Sequence, residues 1–165
     1  MNFIDEAYLE VRAGDGGSGA SSFRREKYIP FGGPDGGDGG KGGNILFKVN
    51  QNTNTLIDFQ NKKIFEAKNG QKGSGKNKSG ADGDDLVIHV PKGTVIYDNL
   101  TNEELMDCTD ENLEYLIVKG GEGGHGNARF KSATNRAPRK STPGFKGEVR
   151  SLRLELKSLA DVGLV

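Results

Sequence analysis

Residues 32–44 read GGPDGGDGGKGGN, and this stretch decides how the chain is built. Glycine recurs at every third position here and again in KGGEGGHGN (residues 119–127), at Gly33, Gly36, Gly39, Gly42, Gly120, Gly123 and Gly126. A period of three matches the polyproline II helix, which has three residues per turn and no internal hydrogen bonds. Glycine along one edge of each helix lets backbones approach and hydrogen-bond to one another. We therefore predict a bundle of glycine-rich polyproline II helices, in which Gly39→Val costs several kcal/mol.

Two shorter stretches carry the same spacing, Gly14 with Gly17 and Gly70 with Gly73. The alternative is a set of flexible linkers, but linkers are rarely periodic and this chain has four such patches. A collagen trimer is a weaker alternative, because four triplets with one proline cannot hold it.

The remainder of the chain has the period of β-strands. Apolar residues alternate with polar ones, or form short continuous runs, in residues 7–11, 45–49, 86–90, 95–97, 115–118 and 152–156. No convincing amphipathic helix occurs. We predict an all-β protein, with a barrel-like or sandwiched base that carries the glycine-rich bundle, and a three-stranded meander over residues 93–120.

Composition bounds the class of protein. The chain has 165 residues, 26 of them glycine, and a net charge of zero, which suits one domain with a small core. It has no apolar run long enough to span a membrane. A single cysteine, Cys108, excludes an internal disulfide and fits a reducing compartment, so we expect a cytoplasmic protein.

The charges are segregated along the chain. Every charged residue in 127–147 is basic, and every charged residue in 98–114 is acidic. Residues 61–81 contain one acid among several lysines. A third basic stretch, residues 23–28, interleaves Arg24, Arg25 and Lys27 with aromatic Phe23 and Tyr28. Such asymmetry predicts a surface that faces a polyanion, with an acidic surface elsewhere.

No motif indicates catalysis or a metal site. Three stretches, from Gly14, Gly37 and Gly121, match the dinucleotide pattern G-x-G-x-x-G, but none has both the preceding strand and the following helix that this motif needs. There is no G-x-x-x-x-G-K-[ST] loop for a nucleotide. Asp82 begins a run that is similar to a calcium loop, but the twelfth position is Gly93 rather than Glu. We expect no catalytic residue and no cofactor or metal in this chain.

Three stretches together resemble the Obg GTPase family: SFRREKYIPFGGPDGGDGGKGGN (residues 22–44), KGGEGGHGN and NRAPRKSTPGFKGE (residues 135–148). The resemblance implies the Obg fold for residues 1–157, while LADVGLV (residues 159–165) resembles the beginning of that family's G domain, so residues 158–165 are expected to be its truncated first strand. It implies that the parent protein is a GTPase that requires GTP and Mg²⁺, both held by the G domain.

The resemblance also implies a partner, the large ribosomal subunit and its RNA, in subunit assembly. Carried over residue by residue, the RNA-binding positions are Arg24, Arg25, Lys27, Lys76, Lys78, Arg136, Arg139 and Lys140. The alternative is a protein-interaction module that docks its own G domain or a stress-signalling partner through acidic residues 98–114, with Glu103, Glu104 and Asp107 as its contacts. We expect a monomer in either case.

Overall fold

The computed structural model describes residues 4–25 and 32–157. It contains eight strands: β1 (Ile4–Arg12), β2 (Ile45–Val49), β3 (Ile64–Glu66), β4 (Leu86–Val90), β5 (Thr94–Asp98), β6 (Glu104–Cys108), β7 (Glu114–Val118) and β8 (Val149–Lys157). Two single turns of 3₁₀ helix, Ile57–Gln60 and Asn127–Phe130, are the helical elements of the described residues. The all-β fold is therefore confirmed.

The base of the molecule consists of two sheets. One has five strands in the order β3-β1-β8-β5-β6, and the other has three in the order β4-β2-β7. Alternation along β2 and β8 turns every second side chain into the core. Aliphatic and aromatic side chains from both sheets fill it, among them Val11, Ile45, Phe47, Ile96, Val118, Leu152 and Leu154.

Six extended glycine-rich segments form a bundle that stands on this base. We name them segment I (residues 13–20), II (33–44), III (67–74), IV (79–85), V (119–127) and VI (141–148). Segments I, III and V continue from β1, β3 and β7, whereas segments II, IV and VI lead back into β2, β4 and β8. The chain therefore makes three round trips between the base and the far end of the bundle.

Neighbouring segments hydrogen-bond through their backbones at every third residue. The N–H groups of segment I donate to carbonyl oxygens of segment II at 2.8–2.9 Å, in the pairs Gly14–Gly43, Gly17–Gly40 and Ala20–Gly37. Backbone hydrogen bonds also recur at every third residue between segment I and each of segments III, V and VI. The same holds between segment II and each of segments III, IV and V. At Gly126, φ −72° and ψ 161° lie in the extended region that includes polyproline II. The polyproline II conformation of all six segments stays a prediction.

The pairing of segments continues into the pairing of strands. Segments I and VI, and II and V, run antiparallel and lead into the antiparallel pairs β1–β8 and β2–β7. Segments I and III, and II and IV, run parallel and lead into the parallel pairs β1–β3 and β2–β4. Parallel strands need a long crossover connection, and here the bundle supplies it.

This continuity corrects the expected meander over residues 93–120. β5 and β6 pair as expected, but β7 joins β2 in the other sheet. The reason is that β7 leads into segment V, which is already hydrogen-bonded to segment II above β2. The bundle thus decides the partner of this strand.

The periodic glycines lie where backbones touch. At six of the seven, an added Cβ would lie within 3.0 Å of a carbonyl oxygen on a neighbouring segment: Gly36, Gly39, Gly42, Gly120, Gly123 and Gly126. Gly33 differs, because the nearest atom to a Cβ there is Lys131 Nζ at 3.7 Å.

In residues 4–25 and 32–157, no helix has the length and apolarity that a membrane crossing requires.

Candidate nucleic-acid interface

The three connections between outgoing and returning segments lie together at the end of the bundle farthest from the base. We call this end the tip. Its described residues belong to the first tip loop (residues 21–25 and 32), the second tip loop (75–78) and the third tip loop (128–140). The described parts of these loops contain seven of the eight basic positions proposed from the sequence, so stretches far apart in the chain meet at one end of the molecule.

Asn127 holds two of these loops against the bundle. It is fully buried, and its side-chain amide donates to Ser22 O at 2.8 Å and to Pro138 O at 3.1 Å, in the first and third tip loops. Its Oδ1 accepts from Gly36 N at 2.8 Å. One amide therefore joins segment II to two tip loops, and it is the hydrogen-bond partner of Gly36 N and Pro138 O, backbone groups that would otherwise lack one.

Asp35 connects the first and second tip loops. Its N–H donates to Ser22 O at 2.9 Å, its carbonyl accepts from Asn77 N at 2.7 Å, and its Oδ2 accepts from Lys76 N at 3.0 Å. Lys76 and Asn77 have φ of 61° and 55°, the left-handed region that is costly for residues with a Cβ. The bonds from Asp35 hold this strained turn in place.

The described basic positions are all exposed to solvent. Arg24 and Arg25 lie in the first tip loop, Lys76 and Lys78 in the second, and the third carries the remaining three, Arg136, Arg139 and Lys140. A hydrogen bond of 2.8 Å from Ser21 Oγ to the carbonyl of Arg139 joins the first and third loops. Lys27 and Tyr28 lie outside the described residues.

The carboxylate of Asp38, near the tip, already has partners. Asp38 accepts from Gly126 N at 2.9 Å and forms an ion pair of 2.6 Å with Arg129. Burial alone raises the pKa of Asp38, but the Gly126 hydrogen bond and the Arg129 guanidinium outweigh burial and lower the pKa below its ordinary value. The carboxylate is thus neutralised locally and does not cancel the charge of the exposed cations.

The acidic residues 98–114 do not form one cluster. β5 runs antiparallel to β8, so the β5–β6 turn lies at the bundle side of the base, while the β6–β7 turn lies at the opposite end. Asp98 accepts from Leu100 N at 2.8 Å and pairs with Arg150 at 3.3 Å. Glu103, Glu104 and Asp107 remain exposed, on the turn and on β6.

The described residues offer neither a reactive thiol nor a metal-binding cluster. Cys108 is buried, and burial together with the charge of Asp107 raises its pKa to about 12. Among residues 4–25 and 32–157, no three His, Cys, Asp or Glu side chains come together as a metal site would require.

Asn127 and Asp35 are the site residues that sequence reasoning missed. A signal was present for the first: two glycine-rich runs end in asparagine, at Asn44 and Asn127. Each Oδ1 accepts a glycine N–H of a neighbouring segment at 2.8 Å, Gly120 and Gly36 respectively. Asparagine at the end of such a run marks a position where a backbone donor would otherwise lack a partner.

Comparison with known proteins identifies relatives along the whole chain. The family model described as GTP1/OBG matches residues 4–158. Proteins named GTPase Obg from Psychrobacter sp. (strain PRwf-1) and from Magnetococcus marinus (strain ATCC BAA-1437 / JCM 17883 / MC-1) are each 54% identical to this chain over all 165 residues. The chain spans 41% and 43% of the length of these two relatives.

Proposed function

This chain belongs to the GTP1/OBG family, and we propose that it is the ribosome-docking domain of an Obg-type GTPase, whose tip binds RNA of the large ribosomal subunit during its assembly in the cytoplasm. The observation that carries the proposal is the convergence of three basic loops at one end of the bundle. Arginine forks and lysine ammonium groups are the side chains that bind the phosphate backbone of nucleic acids.

The bundle suits the presentation of these loops at a distance from the base. Eight residues in the predicted polyproline II conformation span about 25 Å. The segments are narrow because most of their inward positions are glycine, and backbone hydrogen bonds at every third residue make them stiff. A narrow, stiff arm fits the entry of the tip into a confined site such as a groove within folded RNA.

The nucleotide chemistry belongs to another part of the parent protein. The relatives carry the name GTPase, and we propose that the full-length protein binds GTP and Mg²⁺ and hydrolyses GTP in its G domain. The residues of this chain do not fit either group, because the sequence lacks a P-loop and the described acids form no metal-binding cluster. We therefore propose no hydrolytic step for this chain. A GTPase assay on it alone is expected to read zero turnover.

Equilibrium binding to purified large ribosomal subunits across a salt series tests the docking role. If about six phosphates are contacted, log K falls with log salt at a slope of about −4 to −5. The variant Arg136→Glu/Arg139→Glu/Lys140→Glu removes three cations from the tip. It is expected to weaken binding and to flatten the slope by about 2 to 3 units.

A matched variant controls for net charge. Lys63→Glu/Lys92→Glu/Lys157→Glu makes the same change at three exposed lysines of the base. It is expected to keep most of the affinity and the slope. Equal losses in the two variants would show that only net charge matters, and salt-insensitive binding would refute phosphate contact by the tip.

A second candidate function is protein interaction through the β5–β6 turn. Leu100 on this turn is 82% exposed, beside exposed Glu103 and Glu104, so the turn offers one apolar side chain and two carboxylates that complement a basic partner surface. The partner is the parent's G domain or a signalling protein. This role predicts that Glu103→Lys/Glu104→Lys/Asp107→Lys abolishes binding of the partner, while the triple tip variant leaves it unchanged.

A further inference from the structure

We propose that the cleft between the first and second tip loops binds one unpaired nucleobase that carries an exocyclic amino group, with that group donating to Asp35 Oδ1. The inference rests on the proposed function, because it names what the tip recognises beyond the phosphate backbone. It concerns a base-specific contact, whereas the cations of the tip account for contacts that do not depend on sequence.

The cleft has a volume of about 660 Å³, enough for a nucleotide. Its walls come from residues 21–25 of the first tip loop, residues 75–77 of the second, and Asp35. The half-buried Phe23 supplies the one aromatic ring among these described residues. Arg24, Arg25 and Lys76 supply positive charge.

Asp35 supplies a polar atom without a partner. The residue is 7% exposed, and its Oδ2 accepts from Lys76 N, but Oδ1 has no hydrogen-bond partner among the described residues. A buried acceptor that lacks a donor is costly, so such atoms are rare and mark the position of an absent donor. Oδ1 is also closed to solvent, so a bound group has to displace part of the cleft wall, which Gly75 and Ser22 form beside this atom, to donate a hydrogen bond there and remove the cost.

The surroundings decide the chemistry of this donor. A cationic side chain from a peptide would satisfy Oδ1, but it would have to approach among Arg24, Arg25 and Lys76, whose charges repel it. A neutral N–H donor attached to a flat ring and an anionic phosphate matches all three features of the cleft. The ring stacks on Phe23, the phosphate meets the cations, and the amino group reaches Oδ1.

The turn at Lys76 gives an independent reason to regard this site as functional. Two consecutive residues with side chains, Lys76 and Asn77, are held with positive φ. Such strain persists where the surrounding structure enforces it, and it concentrates at binding sites. Here the same carboxylate that enforces the turn presents its second oxygen without a partner.

The test is a titration of the ¹⁵N-labelled chain with AMP and, separately, with purine riboside 5′-monophosphate, which differs from AMP by the missing amino group. Amide signals of Ser22, Lys76 and Asn77 report occupancy of the cleft. AMP is expected to bind about tenfold or more tightly than the analogue, because a hydrogen bond to a charged acceptor is lost. Equal affinities, or no shifts at these amides, would overturn the proposal.

Two variants separate recognition from folding. Asp35→Asn keeps an oxygen that accepts from Lys76 N, but its amide NH₂ group, a donor, takes the place of Oδ1 at the cleft. The preference for AMP is therefore expected to disappear. Gly75→Ala places a methyl group 2.9 Å from Ser22 Oγ and 3.8 Å from Asp35 Oδ1 without touching other backbone. It is expected to weaken AMP binding several-fold with an unchanged melting temperature. Unchanged AMP affinity in Gly75→Ala would refute the site, even if Asp35→Asn fails to fold.

The same chains, bound to large subunits, keep the two proposals distinguishable. Gly75→Ala retains every cation of the tip, so the salt slope is expected to match that of the parent chain. Subunit binding with a normal slope but no discrimination between AMP and its analogue refutes the cleft alone. Discrimination between the nucleotides without subunit binding refutes the docking role and leaves the cleft.

Discussion

Gly39→Ala tests whether backbone contact holds the bundle together. A Cβ at Gly39 would come within 3.0 Å of Gly17 O, Gly17 C and Ser18 O, all of them backbone atoms of segment I. Segment I cannot retreat freely, because Gly17 donates to Gly40 O at 2.8 Å and accepts from Gly124 N at 2.8 Å. The methyl group therefore has to break hydrogen bonds at the centre of the bundle.

The magnitude follows from these contacts. Loss of two or three backbone hydrogen bonds costs about 2–3 kcal/mol, at about 1 kcal/mol each. Overpacking of the remaining contacts adds about 1–3 kcal/mol. We expect a loss of about 3–6 kcal/mol, which corresponds to a fall of roughly 10–20 °C in melting temperature for a chain of this size.

Gly33→Ala is the matched control. Gly33 has the same three-residue period, but the nearest atom to an added Cβ is the mobile Lys131 Nζ at 3.7 Å. We expect its stability to stay within about 1 kcal/mol of the parent chain. Urea and thermal unfolding by circular dichroism measure both variants. Melting temperatures of the two variants within about 2 °C of each other would refute the role of glycine contacts in the bundle.

Three further outcomes are expected. Asn127→Ala leaves Gly36 N buried without an acceptor, so it should cost about 2–4 kcal/mol in urea unfolding and expose the first and third tip loops to protease; equal protease resistance would contradict its role as their anchor. The Cys108 thiol, with a pKa raised to about 12, should not react with an aromatic disulfide reagent at pH 8 in the native chain but should react at once in urea; fast native labelling would contradict its burial. The pKa of Asp38 is lowered, so its carboxylate contributes stability above its ordinary pKa of 3.8, and this contribution is lost as the pH falls through the folded-state pKa. Asp38→Asn should therefore be less stable than the parent chain at pH 7. Below pH 4 it should lose less stability than the parent chain does. Parallel stability curves of the two chains would refute that coupling.

Two periods in the sequence, the two-residue alternation of strands and the three-residue spacing of glycine, predicted the outline of the fold. Alternation in ILFKV, residues 45–49, correctly predicted a half-buried strand, and the glycine period correctly marked positions of close backbone contact such as Gly39 and Gly123. Gly33 shows the limit of the pattern. It keeps the period, but it lies at the tip, where a Cβ would meet no neighbouring backbone within 4 Å.

The partner of strand β7 could not be predicted from the sequence. Residues 93–120 contain three short strands separated by turns, a pattern typical of a meander, but β7 pairs with β2 because segments V and II are already joined in the bundle. A long-range partner of this kind leaves no local signal in composition or periodicity.

The candidate site could be predicted only in part. Clusters of arginine and lysine indicated the three basic loops, and the round trips of the chain bring those loops to one end. Asp35 lies in the sequence Gly-Pro-Asp-Gly, which is typical of a surface turn, so its burial and its bonds to Lys76 and Asn77 were not foreseeable. Those contacts join residues 41 positions or more apart, and only the bundle brings them together.

Directed cleavage of ribosomal RNA tests most directly whether the tip faces the RNA. A cysteine that carries an iron chelate is placed at the exposed Ala137 of the third tip loop or at Leu100 of the base, and buried Cys108 stays unlabelled. Hydroxyl radicals are then generated on the large subunit. We predict strong, localised cleavage of ribosomal RNA from position 137 and weak or no cleavage from position 100. Cleavage from position 100 alone would contradict the account and favour docking through the acidic turn.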